Sequence, residues 1–534
     1  MLPLLAIAAF QVPLPTAPEP VAPPPRAVHA FYYGWYGNPT HDGAWVHWQQ
    51  GGHLPPLELG TDFRPALGPY SSRDRAVLDR HFGWFVEAGI GVAVASYWGP
   101  GSREDQLLPG ILDAAARAHV EVAFHIEPYP GRSAATVVRD IRDLQARFGG
   151  HPAFHRAVRP TRHGPSTRPR GVYYVFESSG GNGRIPDADW ARELGTLRGT
   201  PDDAIVLGQA LDVNRLDQSQ FDGLYNYDVF AVDGSGFDAV GRAIRGRNAI
   251  FVPSVGPGYV DGRAIPGSSR NLPRDAGARY DLMWARAVDA QAEWISITSF
   301  NEWHEGSQIE PAVPFTTPAF QSLDYTDVPA PRRSDGRDHY LRRTAMWSDR
   351  FTRPARTRFA TSFETLPFPF ANRIESRAHV DGGTPGSNPT CTVSPTSAGP
   401  GAGFGPLLVR LAGRDTSATA DSHCWFRLFD LDVLIGPRTS LRYRLFRQVG
   451  TEVGIDLVLD DGTRISSAAR DQFGRSVRAS DGVDAIGAWR CYEVDLARFR
   501  GRRIRAVLFG YDDATPAQTG PFEAFLDVVE IVDR

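Results

Sequence analysis

Eight short apolar runs recur along the first two thirds of the chain, and a helical pattern separates nearly every neighbouring pair. The runs cover 27–36, 91–98, 120–129, 171–177, 204–211, 223–228, 249–255 and 294–300. They are short and rich in β-branched and aromatic residues, which predicts buried strands. Between them the spacing predicts helices over 75–88, 107–118, 133–148, 187–197, 237–245 and 278–291, with 215–220 the weakest. In the first of these, Val77, Leu78, Phe82, Phe85 and Val86 fall at helical spacing. Strands hydrophobic on both faces, each followed by a helix, spell a parallel sheet wrapped by helices, a (β/α)8 barrel. A doubly wound open sheet is the competing arrangement. It usually carries a glycine-rich phosphate loop after its first strand, and Trp35-Tyr-Gly-Asn-Pro39 is not one.

A polar stretch at 330–337 leads to a last predicted helix, 339–351. From residue 359 the period changes to two, with strands expected at 440–446, 453–459, 489–496, 505–509 and 522–532. This patterning and its Gly/Asp turns predict a jelly-roll-like β-sandwich of about 170 residues. The chain therefore divides into a leader and tether (1–26), a barrel (27–355) and a sandwich (356–534). Residues 1–10 are an apolar run of signal-peptide length, too short to span a bilayer and without a basic leader. A proline-rich tether follows. The expectation is export to the periplasm or beyond, with a disordered tail as the alternative. The net charge of −4 over 534 residues gives no electrostatic footprint for nucleic acid or an anionic membrane. The three cysteines, Cys391, Cys424 and Cys491, fit no zinc or redox motif. One disulfide is compatible with export, and the spacing does not choose the pair. A monomer without cofactor is expected.

The chemistry concentrates where the eighth run meets Asn301-Glu-Trp-His-Glu305. An apolar strand running into this motif puts acids at its carboxyl end, where barrel enzymes work. Glu302, Glu305 and Glu310 lie close in sequence, beside Trp303 and His304. Paired carboxylates supply the acid and the base of sugar-bond cleavage, and flat rings suit the sugar face. Alternation through Ser296, Thr298 and Phe300 predicts that Glu302 points into the barrel mouth. In the third strand Val122, Phe124 and Ile126 share the helix-facing side, which aims His125 and Glu127 inward. Aromatics recur at the same strand ends: Tyr33, Trp35 and Tyr36, then Tyr97 and Trp98, then Tyr225 and Tyr227, then Tyr259 after Gly256-Pro-Gly258. Sugar stacking and core filling are both open for each ring. For Glu-x-x-Glu alone, a solvated helix face is the bland alternative. A metal site would need a third well-spaced ligand, which is not evident.

At these residues the chain resembles the glycoprotein endo-α-1,2-mannosidase and bacterial endo-α-1,2-mannanase family, glycoside hydrolase family 99. The likeness rests on Phe31-Tyr-Tyr-Gly-Trp-Tyr-Gly-Asn-Pro39, Asp42-Gly43 with His47-Trp48, Tyr70-Ser-Ser-Arg-Asp74, Phe124-His-Ile-Glu-Pro-Tyr129, His151-Pro-Ala-Phe154, Phe221-Asp-Gly223, Val252-Pro-Ser-Val-Gly-Pro-Gly-Tyr259 and Ile295-Ser-Ile-Thr-Ser-Phe-Asn-Glu-Trp-His-Glu-Gly306. It implies a metal-independent, retaining, endo-acting hydrolase of α-mannan or mannose-rich glycans. It also implies a 1,2-anhydro sugar intermediate, outside the usual two-carboxylate pattern. Glu302 is then the base that ionises the sugar 2-hydroxyl, and Glu305 the acid/base. Tyr36, Trp98, Glu127, Tyr225, Arg263 and Asn301 are matched as sugar contacts; His125, Tyr227 and Tyr259 join them from the strand-end reading.

Two places depart from the family pattern. Ala44 stands where eukaryotic relatives often carry lysine, and Val175-Phe-Glu-Ser-Ser179 replaces a common Tyr-Asp-Ser-Tyr. Both bear on which sugar, glucose or mannose, sits beyond the cleaved linkage. The sandwich, with Leu428-Phe-Asp-Leu-Asp432, Asp460-Asp-Gly-Thr463 and Phe522-Glu-Ala-Phe-Leu-Asp527, resembles accessory modules of carbohydrate-active enzymes. Glycan binding, a structural calcium and bracing of the barrel are its three readings. A silent glycan-binding barrel and a barrel of polysaccharide assembly are the competing functions.

Overall fold

The computed structural model describes residues 23–164, 168–178, 185–318, 320–325, 336–353, 355–363, 390–400, 407–416, 422–472, 474–481, 486–513 and 519–534. The signal-like run, most of the tether and part of 330–337 lie outside them. Strand β1 (Val28–Tyr32) pairs in parallel with β2 (Val92–Tyr97). The sheet continues through β3 (Glu121–Ile126), β4 (Arg170–Val175), β5 (Ile205–Gln209), β6 (Gly223–Tyr225) and β7 (Ile250–Val252). On its other side β1 pairs with β8 (Ile295–Ile297), Val28 opposite Ile295. Past Pro253, β7 resumes as Ser254–Val255, and this piece pairs with β8. The ring of eight is thereby closed. Pro253 has no N–H for the ladder and sits at the break, while its carbonyl accepts from Ser296 N at 3.0 Å.

Each strand is followed by its helix: α1 (Arg75–Glu87), α2 (Arg103–Arg117), α3 (Ala134–Phe148), α4 (Asp187–Gly195), α5 (Asn214–Ser219), α6 (Phe237–Arg245), α7 (Ala278–Asp289) and α8 (His339–Thr352). The expected (β/α)8 barrel is the observed one. Helix α2 starts four residues before the predicted 107. Its first turn, Arg103-Glu-Asp-Gln106, is polar and shows no apolar period, and Ser102 caps it by accepting from Asp105 N. The faces of β3 fall as predicted. Phe124 packs outward on Phe148 and Phe154, and His125 turns inward, its ring 4.6 Å from that of Phe31. His29, Phe31, His125, Tyr174 and Tyr225 are all buried within the barrel, so its lower half is a packed core.

The remaining chain forms two facing antiparallel sheets. One holds β9 (Arg356–Thr361), β10 (Thr390–Thr396), β11 (Leu408–Asp415), β13 (Thr439–Val449), β15 (Trp489–Asp495) and β17 (Gly520–Asp533). The other holds β12 (Ser422–Leu434), β14 (Val453–Leu459) and β16 (Arg503–Asp513). The expected sandwich is present, with four strands before residue 435 that the pattern did not show. Cys391 on β10 is bonded to Cys424 on β12, tying the two sheets together. Cys491 is free and buried, its thiol pushed up to about 11, chiefly by burial. Asp460 and Asp461, weighed for calcium, both face Arg502. No described helix is long and apolar enough to cross a membrane.

The sandwich packs on the barrel through α7. Arg444 Nη2 lies 2.9 Å from Asp289 Oδ2, Arg490 Nη1 donates to the Asp275 carbonyl at 2.6 Å, and Cys491 Sγ lies 3.9 Å from the Asp281 carbonyl. Cavities of about 420 and 590 Å³ line this junction, and neither is walled by Glu302 or Glu305. Ending the chain at residue 355 exposes the face of α7 and strips Asp289 of its partner. The truncate is expected to melt lower by roughly 5 °C, because a partly buried ion pair and apolar contact are lost together. A circular dichroism melt coincident with the full chain would show that the junction adds no stability.

Candidate active site

The site begins where β8 stops, at Ile297. The chain then crosses the barrel mouth, held by backbone bonds to neighbouring strands: Thr298 N donates to the Val255 carbonyl at 2.9 Å and Phe300 N to that of Phe31 at 2.8 Å. It folds back so that Glu310 N reaches the Phe300 carbonyl at 2.8 Å. The strand's alternation does not extend to Glu302, contrary to the expectation. Phe300 points outward to α1, its ring 4.6 Å from Phe85. Local hydrogen bonds aim Glu302 instead: its N–H donates to Ser299 Oγ at 2.7 Å. Asn301 clamps the loop to the end of β1, accepting from Tyr33 N and donating to the Tyr33 carbonyl, both at 2.8 Å. Tyr36 donates from its hydroxyl to the Asn301 carbonyl and accepts from Trp303 N, both at 3.1 Å. Asn301 and Tyr36, matched as sugar contacts, are thus engaged in fastening the loop.

Glu302 is buried, and its Oε1 accepts from His304 N at 3.0 Å. Burial, then the charge of Glu305, hold its carboxyl well above the ordinary carboxylate range. His304 opposes this through its backbone N–H, which favours the ionised carboxylate. Its Nε2 lies 3.0 Å from the His47 carbonyl, which can only accept, so Nε2 carries the proton. Burial pushes His304 down to about 3, leaving a neutral ring with a bare Nδ1 lone pair 3.5 Å from Glu302 Oε1. Glu305 Oε2 and Oε1 lie 3.4 and 3.3 Å from the hydroxyls of Tyr227 and Tyr259. Burial, then the nearby Asp228, push its carboxyl up to about 7. One short loop therefore carries two carboxyl groups, both raised, with Glu305 positioned to exchange a proton near neutral pH.

Opposite them, β3 and β6 build a polar wall. Glu127 Oε1 accepts from Ser96 Oγ at 2.8 Å and lies 3.1 Å from His125 Nδ1. His125 Nε2 bonds the Tyr225 hydroxyl at 2.9 Å. Tyr227 stacks on His125, ring centroids 5.7 Å apart, and its hydroxyl bonds that of Tyr33. Trp98, half-buried at the end of β2, has no partner for its indole N–H among the described residues. Arg263 is turned elsewhere: it donates from Nε to the Leu59 carbonyl at 3.0 Å and covers the Phe320 ring at 3.9 Å. Glu310 is not at the mouth. It is fully buried beneath the loop, accepting from Tyr70 and Trp303. Asp228 escaped sequence reasoning because Tyr225 and Tyr227 already claimed the inward phase; β6 ends at Tyr225, so that phase no longer applies. Of the two departures, Ala44 is exposed, and Glu177 lies exposed in the turn beyond β4 at φ 44°, its N–H donating to Gln209 Oε1 at 2.7 Å. Among the described residues no three His, Cys, Asp or Glu side chains form a metal-binding group.

The chain is similar to a glycoprotein endo-alpha-1,2-mannosidase-like protein of Mus musculus, 37% identical over 362 residues, which cover 61% of this chain and 76% of that one. The glycoprotein endo-alpha-1,2-mannosidase of Rattus norvegicus is 36% identical over 368 residues, covering 62% and 76%. Among solved structures, the GH99 endo-alpha-mannosidase from Bacteroides thetaiotaomicron superposes with a TM-score of 0.54 at 34% identity, covering 61% of this chain and 98% of that one. The family model of glycosyl hydrolase family 99 matches residues 25–353, more than half of the chain and all eight strands with their helices. The chain belongs to glycosyl hydrolase family 99.

Proposed function

We propose that this glycoside hydrolase cleaves α-1,2-mannosidic linkages within α-mannan or mannose-rich glycans, with retention, through a 1,2-anhydro sugar. The observation that carries the reading is the pairing of the buried Glu302 with Glu305 on one loop at the barrel mouth, the Glu305 carboxyl pushed up to about 7. The names of the mammalian and bacterial relatives support the linkage and the sugar. Glu302 takes the proton of the sugar 2-hydroxyl, whose oxygen attacks the anomeric carbon as the glycosidic bond breaks. Glu305 gives its proton to the leaving oxygen. Water then opens the three-membered ring: Glu305 takes a proton from the water, and Glu302 returns one to O2. Each residue ends as it began. The raised Glu305 carboxyl serves this cycle, because an acid must hold its proton at working pH. Half-buried Trp98 offers its ring face to the bound sugar and Glu127 its carboxylate, with His125 and Tyr225 holding Glu127 from below.

Two measurements test the reading. Incubation with α-1,2-linked mannan is expected to release oligosaccharides; binding without release would make the barrel a glycan receptor instead. A substrate methylated on the critical 2-hydroxyl is expected to be inert. Turnover of that substrate, or a glycosyl adduct on Glu302 seen by mass spectrometry, would make Glu302 an ordinary nucleophile.

A further inference from the structure

Beyond β7 the chain forms a short antiparallel ribbon, Tyr259–Val260 against Asn271–Leu272. Its backbone is fastened to the catalytic loop, Val260 N donating to the Glu305 carbonyl at 2.7 Å. Its side chains are fastened there too. The Tyr259 hydroxyl lies 3.3 Å from Glu305 Oε1 and 3.1 Å from Asp261 Oδ2. A phenol carries one proton, so it can serve only one of these carboxylates at a time. Asp261 is fully buried, and Arg270 is ion-paired with the same Oδ2, supplying the counter-charge that a buried carboxylate needs. The Arg270 guanidinium also lies 5.3 Å from the ring centroids of both Tyr259 and Phe230.

We propose that Arg270, Asp261 and Tyr259 are positioning residues for Glu305, with one tyrosine proton changing acceptor as Glu305 gives up and regains its own. The proposal rests on the acid/base reading of Glu305. While Glu305 holds its proton for the leaving oxygen, Tyr259 donates to Asp261. Once that proton has gone, the tyrosine proton turns to Oε1 of the new carboxylate, and Tyr227 serves Oε2. Arg270, by occupying Asp261 Oδ2, keeps the tyrosine from being locked there. The proton taken from water reverses the swap, so every proton is accounted for. The groups facing Glu305 are Tyr227 and Asp228 beyond β6, Tyr33 beyond β1, Tyr259, Asp261 and Arg270 from the ribbon, and Glu302 and His304 on its own loop. Burial first and Asp228 next push the Glu305 carboxyl up; Arg270 and the two tyrosine hydroxyls oppose them.

The test is the pH profile of kcat on an aryl oligomannoside with a moderately good leaving group. Arg270→Gln is expected to lower kcat roughly tenfold with KM unchanged. It should also move the alkaline limb up by about half a unit to one unit, because a half-exposed counter-charge is lost. Arg270→Lys should keep the limb in place. Tyr259→Phe, which leaves the ion pair intact, should move it in the same direction and guards against misfolding of the arginine variant. Glu305→Gln, slow but active on this substrate, should lose the limb. An unmoved limb in both relay variants, with the limb abolished in Glu305→Gln, would overturn the relay alone. A raised KM with unchanged kcat in Arg270→Gln would do the same and make Arg270 a sugar contact. A wild-type limb in Glu305→Gln would overturn the acid/base reading itself.

Discussion

Glu302→Gln and Glu305→Gln are both expected to abolish hydrolysis of α-mannan, and to separate on a mannosyl fluoride. Fluoride leaves with little protonation, so the acid contributes little to its departure. The base that ionises the 2-hydroxyl is still required. General acid–base assistance is typically worth ~10²–10⁴-fold. Loss of Glu302 should therefore cost about that much on either substrate. Loss of Glu305 should cost much less in fluoride release, although opening the anhydro ring still lacks its base. Fluoride release followed by electrode, beside oligosaccharide release from mannan, separates the two steps. Equal losses for both variants on the fluoride would show that Glu305 does more than protonate the leaving group.

The pH dependence of this division follows from the surroundings of the two acids. Glu305, pushed up to about 7 by burial and Asp228, is protonated below that value and ionised above it. Turnover of a poor leaving group should therefore fall as pH rises through about 7, and fluoride release should fall much less. His304 does not titrate in this range, since burial holds its ring neutral down to about 3.

The barrel was legible in the sequence because each strand is a short β-branched run buried on both faces, and each helix shows one apolar stripe. The inward aim of His125 and Glu127 was legible for the same reason: Phe124 and its neighbours claimed the helix side of β3. The geometry of the catalytic loop was not legible in that way. Phe300 and Glu302 share a phase in sequence, yet β8 ends at Ile297 and hydrogen bonds decide the directions beyond it. A family match names Asn301, Tyr36 and Arg263 but does not show which of their atoms are already taken, and contacts within the protein occupy much of their bonding capacity. The grouping of Arg270 and Asp261 near Glu305 is equally invisible along the chain, because the ribbon turn and the loop crossing bring together residues far apart in number. In the sandwich, the strands before residue 435 are separated by long proline- and glycine-containing stretches that break the period-two signal.

Glu310 shows how a carboxylate near the site can matter without doing chemistry, and its replacement should have the largest effect on stability. It is fully buried behind the loop, where Oε2 accepts from the Tyr70 hydroxyl at 2.8 Å and from Trp303 Nε1 at 2.9 Å, and Oε1 lies 3.2 Å from His81 Nε2. His81 Nδ1 in turn bonds the Tyr32 hydroxyl at 3.0 Å. Glu310→Leu takes the acceptor from two buried donors, the Tyr70 hydroxyl and Trp303 Nε1, and removes the carboxylate beside His81, and breaking such a network by removing one member costs about 3–5 kcal/mol. Glu310→Gln keeps an oxygen for Tyr70 and Trp303, and its amide can donate to His81 Nε2 when the ring carries its proton on Nδ1 and donates to the Tyr32 oxygen, which restricts the loss to about 1–2 kcal/mol. Trp303 stands between Glu302 and His304, so loosening its indole should also lower kcat in the leucine variant, with the mannan affinity of the opposite wall retained. Denaturant unfolding of the two variants separates the contributions. A leucine variant within about 1 kcal/mol of the parent would mean that Tyr70 and Trp303 find other acceptors when Glu310 is gone, and that Asn301, Tyr36 and the backbone bonds suffice to hold the loop.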